Sequence, residues 1–288
     1  MLKKVVAAVA LNIALGMSAL AGTAMWEVQA DGLTLYIGGT CHVLRPADYP
    51  LPIEFTKAYG DSEVIVFEAD IGKLSSPEAQ SKILAKGVYQ DSSSLDKVLS
   101  PRTYRLLKQH CDAAGIPIGT LNHLKPSLLM VSLLALELQK LGIVQEGVDQ
   151  YYYHLAVSDR KKVEWLESID EQIDFLLSMG EGNENQFVEH SIRDLEKTAQ
   201  VIDQTISAWR RGNQDELYNI TVAPMKQDYP ALHKALLIER NRRWIPKIAR
   251  YLQSPRKEMV LVGVAHLVGE DGILEQLRGR GYKVSSVD

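Results

Sequence analysis

Short apolar runs alternate with longer amphipathic stretches through most of this chain. Six runs are rich in β-branched and aromatic residues and end at a polar residue or a glycine, so they read as strands: 33–37, 64–67, 116–118, 163–166, 259–262 and 282–285. Between them the apolar positions fall at helical spacing, which predicts helices over 52–59, 77–86, 101–114, 125–141 and 147–159. Strands that alternate with helices indicate an α/β fold, a mostly parallel sheet flanked by helices. Pro117 cannot donate to a ladder and assigns the 116–118 run to an edge.

The texture changes from residue 168 to 253, where no run reads as a strand and an inserted all-helical lobe is expected. There Val188, Ile192, Leu195, Ala199, Ile202, Ile206 and Trp209 recur at alternating spacings of four and three. That seam predicts one helix of about seven turns that stops at Gly212. It suits a helix packed inside the lobe, or a helix that dimerises or acts as a lid, so a homodimer stays open. Pro246 is expected to kink or restart the last helix of the group. With no Gly/Ser-rich linker and no repeat, residues 22–288 read as a single α/β domain with a helical insertion at about 168–253.

The N-terminus changes where this domain is expected to work. Lys3 and Lys4 precede an apolar stretch, and Ala19-Leu20-Ala21 supplies small residues before Gly22. This is the pattern of a cleavable signal peptide over residues 1–21, with an uncleaved anchor as the alternative. A periplasmic or secreted protein without a stable membrane anchor is expected. Removing that segment takes away two lysines and no acid, so the net charge moves from −4 to −6. A mildly acidic chain without a basic stripe argues against nucleic acid as a partner. The cysteines are Cys41 and Cys111 alone. They form either a disulfide closing a loop of about 70 residues, worth about 4 kcal/mol, or two buried thiols.

Candidate chemistry gathers at the predicted strand ends, where parallel sheets collect their ligands. One phrase occurs twice: Gly39-Thr40-Cys41-His42 follows the first strand and Gly263-Val264-Ala265-His266 follows the strand at 259–262. Two neutral imidazoles delivered this way suit a divalent metal. Glu68 follows the 64–67 run, with Asp70 two residues on, and Glu167 follows the 163–166 run. A glutamate leaving an apolar strand needs compensation by a metal or an arginine, or else it caps the next helix. The set of His42, His266 and Glu68 suits Mn, Co or Zn. Arg240 is a candidate partner for Glu167 or for a substrate oxyanion. The other histidines, His110, His123, His154, His190 and His233, carry no partner spacing and read as surface or packing residues. There is no G-x-S-x-G, no H-E-x-x-H and no phosphate-binding glycine loop.

These phrases, together with Trp26-Glu27-Val28, Leu99-Ser100-Pro101, Leu124-Lys125-Pro126, Gly147-Val148-Asp149 and Ile238-Glu239-Arg240-Asn241-Arg242-Arg243-Trp244, resemble the TraB/GumN family, relatives of the animal Tiki metalloproteases. The resemblance runs in order along the chain past the leader. It implies an α/β core and a manganese- or cobalt-dependent peptidase, with His42, His266 and Glu68 as metal ligands. Glu68, Glu167 and Arg240 would be its catalytic or supporting groups. Cys41 and Pro246 depart from the family pattern. The expected function is an exported metal-dependent hydrolase of a peptide or small molecule. The alternative is a non-catalytic periplasmic protein that binds peptide, haem or metal.

Overall fold

A hairpin starts the sheet. Strands β1 (Met25–Ala30) and β2 (Leu33–Thr40) pair antiparallel across Asp31-Gly32, both at positive φ (48° and 80°). This two-residue turn matches the strand twist and favours Asp-Gly. After β3 (Val43–Leu44) the chain adds β4 (Val64–Phe67), β5 (Gln145–Glu146), β6 (Lys162–Trp165), β7 (Glu258–Gly263) and β8 (Lys283–Ser286). The main sheet has the order β6-β4-β7-β2-β1-β8. Its first three pairings are parallel and its last two antiparallel, so it is mixed, mostly parallel and flanked by helices: an α/β fold. Strands β4 and β7 are buried at every residue, as strands covered on both faces must be. This computed structural model describes residues 22–287 apart from Ser75 and Val144; the expected leader at 1–21 lies outside the described residues.

Two apolar cores form. The larger surrounds the sheet and holds Trp26, Phe55, Trp209 and Trp244. The smaller lies among helices alone and joins Leu95, Leu107, Leu129 and Leu133 to Val188, Ile192 and Leu195. This division explains one departure from the sequence reading. The seam expected as a single helix is broken at residues 196–197 into Glu184–Leu195 and Thr198–Arg210. The first helix feeds the smaller core, while Ile206, Ala208 and Trp209 of the second feed the larger. One straight rod cannot serve both.

Two further expectations are corrected. The 116–118 run is no strand; Ile118 opens a 3-10 turn, Ile118–Thr120, and is buried in the smaller core away from the sheet. Pro117 and a length of three residues leave too little to pair. The last helix of the group runs through Pro246 as Glu239–Tyr251, and its irregularity comes earlier, as a π-helical turn at Lys234–Ile238. Cys41 packs on the larger core and Cys111 lies within the smaller one, so both remain free thiols. No helix among the described residues is long and apolar enough to cross a membrane.

Candidate functional site

The sheet order sets the site. His42 follows β2, His266 follows β7, Glu68 follows β4 and Glu167 follows β6, and these are four adjacent parallel strands. The β4–β6 pairing continues beyond the strands, since Leu166 N–H donates to Phe67 O (2.9 Å) and Glu167 N–H to Glu68 O (2.8 Å). The two glutamates are therefore held side by side. Arg240 reaches them from the helix Glu239–Tyr251, so the five residues singled out in the sequence meet at one end of the sheet.

The inner part of the site is buried and its charged groups are paired. Arg240 is 4% exposed. Its Nε donates to Glu167 Oε2 at 3.2 Å, and its Nη2 to Glu167 Oε1 and Glu68 Oε2, both at 2.7 Å. Its Nη1 lies 3.1 Å from His266 Nε2. The guanidinium also rests over Trp244, 4.5 Å from the ring centroid. Asn241 determines what His266 can offer. Its amide Nδ2 donates to the backbone oxygens of His266 and Asp271, both at 3.1 Å, which leaves Oδ1 to face His266 Nδ1 at 2.7 Å. His266 therefore carries its proton on Nδ1 and accepts from Arg240 through Nε2. Burial, with the Arg240 charge beside it, pushes this imidazole down to about 3, so it is neutral. For Glu68, burial pushes upward, but the neighbouring imidazoles, Arg240 and the Gly263 N–H outweigh it and hold the carboxyl at about 2.

The outer part is open. The His42 side chain is 59% exposed, and its Nδ1 meets Asp149 Oδ2 at 3.2 Å. Gly147 makes that contact feasible. Val148 N–H donates to Cys41 O (3.0 Å), and a Cβ at Gly147 would lie 2.2 Å from the His42 carbonyl carbon. Only a residue without a side chain lets the helix Val148–Ser158 begin against the 41–42 backbone, with Asp149 in its first turn. The ladder of β3 on β5 ties the same two segments together. Asp149 attracts the proton strongly enough to raise His42 to about 9. Cys41 is no ligand candidate, since burial and the Asp149 charge push its thiol up to about 12.

Gly263 joins the two parts. Its N–H donates to Glu68 Oε1 at 2.7 Å. A Cβ placed on it would stand 3.1 Å from His42 Nε2, 3.3 Å from Glu68 Oε1 and 3.7 Å from His266 Cδ2. The bare glycine thus floors a small cradle, and two donors face it while His266 turns a ring carbon. Among the described residues no three of His, Cys, Asp and Glu are placed to hold one metal ion. The reason is visible: Arg240 occupies the lone pair of His266 and one oxygen of Glu68, so a three-ligand metal site does not fit this arrangement. An open cleft of about 560 Å³ runs between Asp70, Lys73, Trp165 and Ser168, so it is lined by chain neighbours of Glu68 and Glu167 and not by the glutamates themselves.

Fold and site together define an α/β protein whose polar centre is assembled at the carboxyl ends of parallel strands. The model of the TraB/PrgY/gumN family matches residues 24–286, and the chain belongs to that family. Comparison with curated proteins and with solved structures gives no match. Two participants had no role in the sequence reading, Asp149 and Asn241. Both stand inside the phrases Gly147-Val148-Asp149 and Glu239-Arg240-Asn241, which were their only signal. The remaining histidines stay apart: His154 is exposed beside Glu146 (2.9 Å), and His190 packs on the Tyr229 ring (4.8 Å).

Proposed function

We propose that this chain is an exported hydrolase of peptide or small-molecule acyl bonds, with His42 as its acid–base group. The observation that carries the reading is the open Nε2 of His42 beside the Gly263 cradle, with Asp149 holding the other ring nitrogen. In its neutral form His42 takes a proton from a water in the cradle, and the Asp149 carboxylate balances the imidazolium that forms. The imidazolium then returns the proton to the leaving group. Glu68 and Glu167 make poor bases, because Arg240 and the Gly263 N–H engage their oxygens. Arg240 is likewise committed to carboxylates and is not free to steady an oxyanion. The adjoining cleft gives room for a substrate side chain, with Trp165 as its largest exposed apolar surface. The leader expected at residues 1–21 assigns the work to the periplasm or the exterior.

One observation favours a second reading, in which manganese, cobalt or zinc takes part. Ligating histidines usually give their other nitrogen to a carboxylate, as His42 does to Asp149. The same experiment separates the readings. Purified protein, treated with chelator or supplied with Mn(II), is incubated with a peptide library and small ester substrates, beside His42→Ala. Hydrolysis that survives chelation and vanishes in His42→Ala supports the acid–base reading. Hydrolysis that needs Mn(II) selects the metal. Stoichiometric retention of a ligand with no cleavage under any condition would make the protein a binding protein and overturn both.

A further inference from the structure

We infer that Arg240 is the resident cation of the inner part of the site and excludes a divalent ion from Glu68, Glu167 and His266. These three side chains converge on one guanidinium. Glu68 Oε2 and Glu167 Oε1 both lie 2.7 Å from Nη2, and His266 Nε2 lies 3.1 Å from Nη1. Two carboxylates and an imidazole lone pair are a donor set that manganese or zinc would accept. What they hold instead is a side chain of this same chain.

Displacing it is difficult for three reasons. The guanidinium is buried, so a released Arg240 has no solvent to enter without rearranging the helix that carries it. It is sandwiched by Trp244, whose ring centroid is 4.5 Å away. Its neighbour Asn241 is bonded to the backbone of His266 and Asp271 and to the ring of His266, which pins this turn of the helix. An ion would need its ligand atoms at about 2.1 Å, so the carboxylates would close by roughly 0.6 Å and the imidazole by roughly 1 Å into space the guanidinium fills. Ion and arginine are therefore mutually exclusive there. A divalent ion accepted at this site must sit on the outer side, toward His42 Nε2 and Glu68 Oε1, and must do without His266. The inference concerns occupancy of the site and not turnover, so it stands or falls separately from hydrolysis.

The test uses the full chain freed of metal by chelation, titrated with Mn(II) by calorimetry and checked by elemental analysis. Wild type is expected to bind no Mn(II), or to bind it with an affinity that His266→Ala and Glu167→Gln change by less than about twofold. Arg240→Met is expected to gain one Mn(II) per chain, bound about tenfold or more tighter than in wild type, and to lose it when His266→Ala is added. The idea is overturned if wild type binds one equivalent and either His266→Ala or Glu167→Gln weakens it tenfold or more. It is equally overturned if Arg240→Met keeps the wild-type circular dichroism spectrum yet gains no site. Should Arg240→Met fail to fold, the comparison of wild type with Glu167→Gln decides alone, because that isosteric change keeps the site's volume.

Discussion

The two G-x-x-H phrases look alike in the sequence and end in opposite chemical states. His266 is 4% exposed, neutral, and bonded at both ring nitrogens by groups of one helix, Asn241 and Arg240. His42 follows the next parallel strand, its side chain is 59% exposed, and its Nδ1 meets a carboxylate while Nε2 lies beside Gly263. The difference comes from what each strand end meets. After β7 the chain enters a 3-10 turn, Val264–His266, buried under the helix Glu239–Tyr251. After β2 it runs against the 145–149 segment, which leaves the His42 ring exposed. A repeated motif thus supplies one buried, fully bonded imidazole and one exposed imidazole paired with a carboxylate.

The strongest way to break this contrast is His42→Ala. Loss of an acid–base group is expected to lower kcat/KM by about 10²–10⁴-fold, while the fold survives with a stability loss smaller than that of the buried-site variants. Steady-state kinetics beside urea denaturation read both, and a large stability loss with little kinetic effect would reverse the assignment. Next comes Arg240→Ala, which strands two buried carboxylates. It is expected to destabilise the fold by about 3–5 kcal/mol in the same denaturation assay. Asn241→Ala should cost less, about 1–3 kcal/mol, because one ring N–H and two backbone oxygens lose their partner in the interior. A neutral result there would mean that Asn241 does not hold the His266 tautomer.

The pH dependence sharpens the same comparison with smaller effects. The folded value of His42, about 9, lies above the ordinary 6.5. Its contribution to stability is therefore fully present below pH 6.5 and is lost as pH rises through 9. His266 works the other way: held near 3, it drains stability as pH falls below 6.5 toward 3, because the unfolded chain takes up the proton first. Glu68, held near 2, adds a further loss as pH falls through the usual carboxylate range toward that value. Melting temperature against pH should show the wild-type advantage over His42→Ala at pH 6 disappearing above pH 9. If His42 acts as a base, kcat/KM should climb toward the same limit, and a flat profile from pH 6 to 9 would count against it.

Much of this was legible beforehand, and the misses have physical causes. The runs at β2, β4 and β7 are dense in apolar residues because these strands lie inside the sheet between neighbours, while β6 is a half-exposed edge strand whose run was read from Val163 and Trp165-Leu166. Their ends therefore pointed to His42, His266, Glu68 and Glu167 directly. Strand β1 carries Glu27 and Gln29 among its apolar residues, which blurs the pattern, and it was not read as a strand. The break at residues 196–197 was invisible, since the apolar spacing continues across it while the cores it feeds differ. Asp149 was hidden because its role depends on how closely Gly147 lets two distant segments approach. The commitment of Arg240 depends on four contacts to three partners from three strand ends, and no local pattern encodes such a meeting.

The antiparallel ladder of β8 on β1 joins Trp26 to Ser286, residues separated by nearly the whole chain. Such a pairing pays its loop-closure entropy late, after everything between has been made. A polypeptide leaving the ribosome therefore keeps its first strand open along that edge until its last has been made. A version ending before residue 283 should leave the backbone of Met25–Ala30 unzipped on one side and expose it to proteases.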